Sequence, residues 1–286
     1  RAAAGTIEDR YQALRLLDGI RRSYGREARY HRDIARIYVD AQQPSRAIRC
    51  LEEVVRIEPD DVESRVEIGR LILRDLLYHY ELRSTGRMVT WLRSALDRDP
   101  GNRDALFLTS LAMEMATGLP DASPDLSVQG KAYADSILAR DPSDTAARLL
   151  LAIHELNLGE VESARATFGA ALRTGPLELR DVYYSMKWTA SEKALDRAEN
   201  IEIEKKDVFQ QAYWLYQDPT PLSRINENQL EIWKRLALAE FLFGQPDKGV
   251  RGWDVPAGEA YVRYGPPRAH DFDPGTIKGQ GAWELV

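Results

Sequence analysis

With 286 residues, 44% of them hydrophobic, the chain is long enough to bury a sizeable core, and its length allows one or two domains. A formal charge of −6 argues against nucleic acid as the main partner, because phosphate contacts need a basic surface. No apolar run approaches the roughly 20 residues that cross a bilayer, so no transmembrane segment is expected. The single cysteine, Cys50, excludes an internal disulfide and a thiolate metal cage. The sequence starts at Arg1 without a methionine or a signal-like apolar core. A removed leader or a fragment is therefore expected, and the missing signal does not argue for the cytoplasm.

Residues 1–27 read as one helix of a half-repeat, since Ala13, Leu17 and Ile20 stand 34 positions before Ala47, Leu51 and Val54. Its open apolar end predicts a covering partner or a larger, homo-oligomeric assembly. From about 28 to 61, apolar residues spaced by three and four predict a helix pair joined at Gln43-Pro44. Ile34, Ala35 and Tyr38 lie on its first helix, with Ala47, Leu51 and Val54 on its second. Ala35 and Ala47 are small where the two axes must approach closely. Cys50 falls on the second helix as a buried, inert thiol.

Two degenerate pairs follow, over 62–102 and 103–144. The first carries Ile68, Gly69 and Ile72, then Met88, Leu92 and Ala95. The second carries Leu106 and Met113, then Gly130, Ala134 and Ile137. A last pair, about 145–178, carries Leu151 and Ala152, then Ala164, Phe168 and Ala171, with Gly159 at its turn. Pro59, Pro100, Pro142 and Pro176 close the four pairs at intervals of 41, 42 and 34 residues. The extra residues of the two longer pairs fall around Tyr78–Gly86 and Leu119–Ser127. Insertions at such turns extend outward and leave the stack intact.

These pairs resemble the tetratricopeptide repeat position for position, except that His31 occupies the first aromatic slot. The resemblance implies a right-handed helical solenoid over 1–176, with a groove lined by the first helix of each pair. Groove-facing slots then fall at Arg29, Arg32 and Arg36, at Val66, Arg70 and Leu73 with Arg74 beside them, at Phe107, Leu111 and Met115, and at Leu149, Ile153 and Leu156. Arg29, Arg32 and Arg36 share one helix face by their spacing. Guanidinium forks pair bidentately with carboxylates, so the stripe suits an acidic or C-terminal peptide segment of a protein partner. A solvated face neutralised by neighbouring Asp and Glu explains the same spacing. The apolar slots read either as a peptide-binding floor or as a surface covered by the C-terminal part of the chain.

After Pro176 the rhythm stops, and 177–286 reads as a separate module. Leu177–Tyr216 is aromatic and charged, and its Glu202–Lys206 run reads as exposed helix or linker. Trp214 is followed by Asp218-Pro219-Thr220-Pro221, a rigid turn in which Asp218 accepts backbone N–H groups. Asn226 and Glu227 open a helix that runs to Phe243, with Asn226 as N-cap, Gln229 three residues on, and Gly244 ending it. Beyond Gly252-Trp253 and Gly258, the alternation of Ala260, Val262 and Tyr264 against Tyr261 and Arg263 predicts a short strand. Gly265-Pro266-Pro267 closes that strand, and Trp283 starts a second.

Trp214, the Asp-Pro-Thr-Pro run, Asn226-Glu227, Arg235, Phe243, Gly252-Trp253, Gly258 and Tyr261–Gly265 together resemble the GWxTD domain. Val255-Pro256-Ala257 stands where that family has Thr-Asp-Arg. The resemblance implies a helix–strand module in a bacterial envelope or extracellular setting, without an established activity.

Chemistry is harder to find. No G-x-S-x-G, phosphate-binding glycine loop or dinucleotide fingerprint occurs. His31, His79, His154 and His270 are scattered, and the loop His270-Asp271-Phe272-Asp273 lacks the oxygens calcium requires. No Cys-x-x-Cys-His is present for haem. The expectation is therefore a mainly α protein: a tetratricopeptide-type solenoid followed by a small α+β module ending in a β-hairpin. It acts as a non-enzymatic scaffold for a protein partner in an envelope or extracellular assembly, with no catalytic residue, cofactor or metal. A cytoplasmic peptide adaptor using the arginine groove, and an enzyme's accessory domain, are the alternatives.

Overall fold

A computed structural model describes residues 23–267 except 80, 223 and 224, together with 12, 13, 15, 16 and 19. Leu17 and Ile20 of the expected half-repeat, the His270–Asp273 loop and Trp283 lie outside the described residues. The chain divides into two compact units, 1–137 and 138–286. The last helix pair thus groups with the C-terminal residues, ahead of the change of rhythm at Pro176.

The first unit is built from helix pairs. They are α1 (Ala28–Asp40), α2 (Pro44–Ile57), α3 (Val62–His79), α4 (Thr85–Leu96), α5 (Arg103–Ala116) and α6 (Leu126–Leu138, whose last residue crosses the boundary). Each of α1 to α4 packs on the helix that follows it, and the first helices α3 and α5 also touch. Ser110 Oγ donates to the Gly130 carbonyl at 2.8 Å and joins α5 to α6. The contacts close over small residues, as the spacing requires. Ala35 and Ala47 are buried, and a Cβ on Gly69 would come within 2.7 Å of Leu92 Cδ2. Pro44 opens α2 at a position where no N–H is needed.

The second unit starts with the pair α7 (Thr145–Asn157) and α8 (Val161–Thr174), joined through Gly159 at φ 76°. Then come α9 (Leu177–Tyr184), α10 (Glu192–Asn200), α11 (Lys206–Tyr216), α12 (Glu227–Phe243) and α13 (Pro256–Tyr264). Helix α12 packs on α7, α9 and α13.

Short α9 would leave its last carbonyls unsatisfied. Three indoles donate to them, Trp188 Nε1 to the Val182 carbonyl at 2.9 Å, Trp233 Nε1 to Tyr183 at 2.9 Å, and Trp214 Nε1 to Tyr184 at 3.0 Å, with the Ser185 N–H and the Gln210 amide as further donors to Val182 and Tyr184. The rings then pack edge to face, Phe168 on Trp233 at 5.9 Å between centroids and Tyr183 on Trp253 at 6.5 Å.

The expected C-terminal β-hairpin is not supported. No strand occurs among the described residues apart from one bridge between Gln245 and Val250. Ala260, Tyr261, Val262, Arg263 and Tyr264 are helical, in α13. Pro256 sits at the first helical position, where it is tolerated. Gly258, Val262 and Gly265, spaced by four and three, are the buried positions, and Glu259 pairs with Arg263 one turn on at 2.9 Å. Five alternating residues carried a helical period as well as a strand period, and packing on α12 selects the helix.

The proline turns are built alike. Two residues after each of the first three prolines, an Asx side chain accepts a backbone N–H. These bonds are Asp61 from Ser64 (2.8 Å), Asn102 from Ala105 (3.0 Å) and Asp144 from Ala147 (2.9 Å). Six residues after Pro59, the buried Arg65 donates to the Pro59 and Asp61 carbonyls, both at 2.6 Å, and to Ser94 Oγ at 2.9 Å. Arg148, six after Pro142, likewise reaches the Pro142 carbonyl, and Thr174 Oγ1 at 2.9 Å. Burial, aided by Arg98, lowers the Arg65 guanidinium from its ordinary value, so the three acceptors matter for holding the charge there.

Replacing Arg65 with leucine is expected to lower stability by about 3 kcal/mol, because three part-buried bonds from one charged donor are lost together. Arg65→Lys recovers only part of that, since one ammonium cannot span the fork's acceptors. Urea denaturation midpoints of the two variants check both statements.

Candidate interaction surface

The arginine stripe divides by what each side chain holds. Arg29 and Arg36 flank Asp33 at 3.9 and 3.6 Å, and their side chains are 88% and 79% exposed. Pairs so solvated contribute little. Arg32 points instead to the α2–α3 turn, donating to Asp61 Oδ2 at 2.6 Å and to Glu58. The Asp61 bond, helped by Glu58, holds the Arg32 guanidinium above its ordinary value despite partial burial. Burial opposes ionisation of Asp61, but Arg32 and the Ser64 N–H and hydroxyl outweigh it and lower the carboxyl. Arg70 pairs with Asp104 and, at 3.3 Å, with Glu67, which links α3 to α5. Arg74 is exposed and pairs with no carboxylate among the described residues.

The apolar slots do not form an open floor. Leu111 and Ile153 are fully buried, Leu149 is buried on α7, against which α12 lies, and Phe107 is buried beneath the Arg103 guanidinium, 4.8 Å from its ring centre. Leucines and isoleucines spaced for a groove are also spaced for a core, and here they are core.

The C-terminal motif residues meet around the two ends of α12. Asp218 Oδ1 accepts the Thr220 N–H at 2.9 Å between the exposed Pro219 and Pro221, and the Thr220 hydroxyl donates to Glu227. Asn226 Oδ1 accepts the Gln229 N–H at 3.0 Å, and its amide donates to the Trp214 carbonyl, which ties α11 to α12. At the far end, the Gly252 N–H donates to Glu240 at 2.7 Å. Trp253 is buried, with the Arg251 guanidinium 5.5 Å from its ring centre, and Tyr261 stands edge-on to Phe243 at 5.9 Å. Arg251 itself bonds to Glu178 at 2.6 Å and Glu240 at 3.2 Å. Gly265 turns the chain at φ 82°, against Arg235, and Tyr264 is exposed. These contacts describe packing and capping.

His31 reaches the Gly25 carbonyl at 2.9 Å and stacks edge-on with Tyr30 at 5.2 Å, while His154 is buried and His79 lies 3.8 Å from Asp75. Among the described residues, no three His, Cys, Asp or Glu side chains converge as metal ligands. Cys50 is half-buried, and burial pushes its thiol up.

Sequence reasoning missed Arg65 and also a cleft in the first unit. This cleft, about 590 Å³, lies between α4 and the connection from α5 to α6, and Arg83 and Arg93 are on its lining. The two insertions at Tyr78–Gly86 and Leu119–Ser127 were the signal that could have found it.

Residues 129–178 match the tetratricopeptide repeat model. Among solved structures, the chain is similar to a crystal structure of MamA protein at 15% identity and a TM-score of 0.48, covering 64% of this chain and 90% of that one. A second MamA crystal structure is similar at 14% identity and a TM-score of 0.47, covering 58% and 89%. No curated protein matches the sequence. The matched stretch contains α7, α8, the Gly159 turn and Pro176.

Proposed function

We propose that the chain is a non-enzymatic scaffold that docks a protein partner. The observation that carries this reading is the run of stacked helix pairs, whose first helices α1 and α3 leave Arg29, Arg36 and Arg74 exposed with weak or no internal neutralisation. Arg32 and Arg70 hold the pairs together, so the exposed three are the ones that would meet a partner's acidic or C-terminal segment. The GWxTD-like features of the second unit favour an assembly in a bacterial envelope or outside the cell. The arginine face alone would serve a cytoplasmic adaptor equally, and fractionation of native cells separates the two.

Reversing charge at Arg36 and Arg74 together is expected to cut partner capture about tenfold. The measurement is affinity purification from native extract with mass spectrometry. The circular-dichroism melt should not move, because neither side chain is buried. Unchanged capture contradicts this docking face.

A further inference from the structure

We infer that the cleft between α4 and the α5–α6 connection is a second docking point, which takes a peptide segment bearing an Asp or Glu side chain beside an aliphatic one. The inference rests on the scaffold reading in taking the partner to be a protein, and it uses none of the residues of the arginine face.

Three observations support it. The first is position. The two longer pairs exceed the 34-residue repeat by 7 and 8 residues; in the first, the added chain mostly lengthens α3, to 18 residues against 13 in α1, and in the second it falls mainly in the connection between Ala116 and Leu126. Both connections contribute to one cleft, Arg83 from the first and Leu119 from the second. Its lining comes from α4, the end of α5 with its connection, and the start of α6, and it contains none of the first-helix slots of the expected groove. Lengthened surface connections on a rigid scaffold are where binding residues gather.

The second is chemistry. Val89, Met113, Leu119 and Leu126 give the cleft an apolar floor, and Arg83 and Arg93 flank it. Val89 and Arg93 share one face of α4 by their spacing.

The third is charge. Arg56 and Arg87 on neighbouring second helices each hold a carboxylate, at 2.5 and 3.0 Å. Arg93 donates only to the neutral amide oxygen of Gln129, at 3.0 Å, and Arg83 is exposed with no carboxylate partner among the described residues. The lining therefore carries two guanidiniums against the single carboxylate of Asp121, in a chain whose net charge is −6. A local positive excess around an apolar floor is complementary to an acidic–aliphatic segment. The volume is that of a ligand-sized site.

The test uses the full chain and fluorescein-labelled, C-terminally amidated peptides. Each carries Glu and Leu at spacings of one to three residues in a Gly-Ser background, and its counterpart carries Gln in place of Glu. Fluorescence anisotropy is expected to show binding of a Glu peptide that weakens at least about tenfold with Gln and steepens in its salt dependence at low ionic strength. The Arg83→Glu/Arg93→Glu variant should lose about tenfold or more. Gly86→Trp should block binding without unfolding, since a Cβ there meets nothing within 4 Å. Arg36→Glu/Arg74→Glu should bind the peptide normally.

Equal binding of Glu and Gln peptides, no binding at all, or indifference to both cleft variants overturns the inference. Binding that requires a free C-terminus overturns it in favour of a terminal carboxylate. Partner capture that persists without peptide binding removes the cleft alone. Peptide binding without any partner capture removes the arginine face instead.

Discussion

Gly258→Ala is expected to unfold the C-terminal unit, or to destabilise it by about 3 kcal/mol or more. A Cβ at Gly258 would stand 1.7 Å from the Gly252 carbonyl oxygen, and a Cβ at Gly252 would stand 2.0 Å from the Ala239 carbonyl oxygen. Both obstacles are backbone, so no rotamer change relieves them. The two glycines let the turn at Gly252–Asp254 lie directly on α12 and let α13 lie directly on that turn. Trp253, buried between them, then reaches Tyr183. Loss of near-ultraviolet dichroism and a lowered melting temperature report the outcome. Gly86→Ala, on α4 in open space, is the matched control. It should be neutral or slightly stabilising, because alanine favours helix. A Gly258→Ala protein that melts with the parent would refute the close approach.

Ala47→Trp is expected to detach α1 from α2, again at about 3 kcal/mol or more. Ala47 is fully buried where the two helices meet, opposite a first helix whose own contact residue, Ala35, is equally small. An indole there must push the axes apart. Repeat arrays couple mainly to nearest neighbours, so the damage should stay local. Hydrogen exchange is expected to accelerate across α1 and α2 while α4 and α5 remain protected. Uniform protection along the unit would refute this placement of Ala47.

The helix pairs were legible because their evidence is local. Spacing of three and four places Ile34 and Ala35 against Ala47 and Leu51. Pro44 and Gly159 punctuate the turns, and Asn226 caps α12 as its residue type and its distance from Gln229 imply. The extra length of the 103–144 pair falls in the α5–α6 connection as its sequence implies, whereas that of the 62–102 pair mostly lengthens α3. What failed depends on distant partners. Nothing around Arg32 or Arg70 announces Asp61 and Asp104, 29 and 34 residues away, so a stripe of equivalent arginines resolves into internal ties and exposed charges only in three dimensions. Leu111 and Ile153 followed a groove pattern that burial shares. Val262 alternated like a strand residue and packs like a helical one.

The indole bonds on α9 bear on how the chain is made. The indole donors for three successive carbonyls lie 6, 30 and 50 residues downstream of their acceptors. During synthesis, α9 therefore cannot complete its end until Trp233 has left the ribosome, whereas the Arg32 bonds that tie α1 to the α2–α3 turn need nothing beyond Asp61. A nascent polypeptide of this sequence can settle its first helix pairs one by one, but the tryptophan-rich part must close in a single late step.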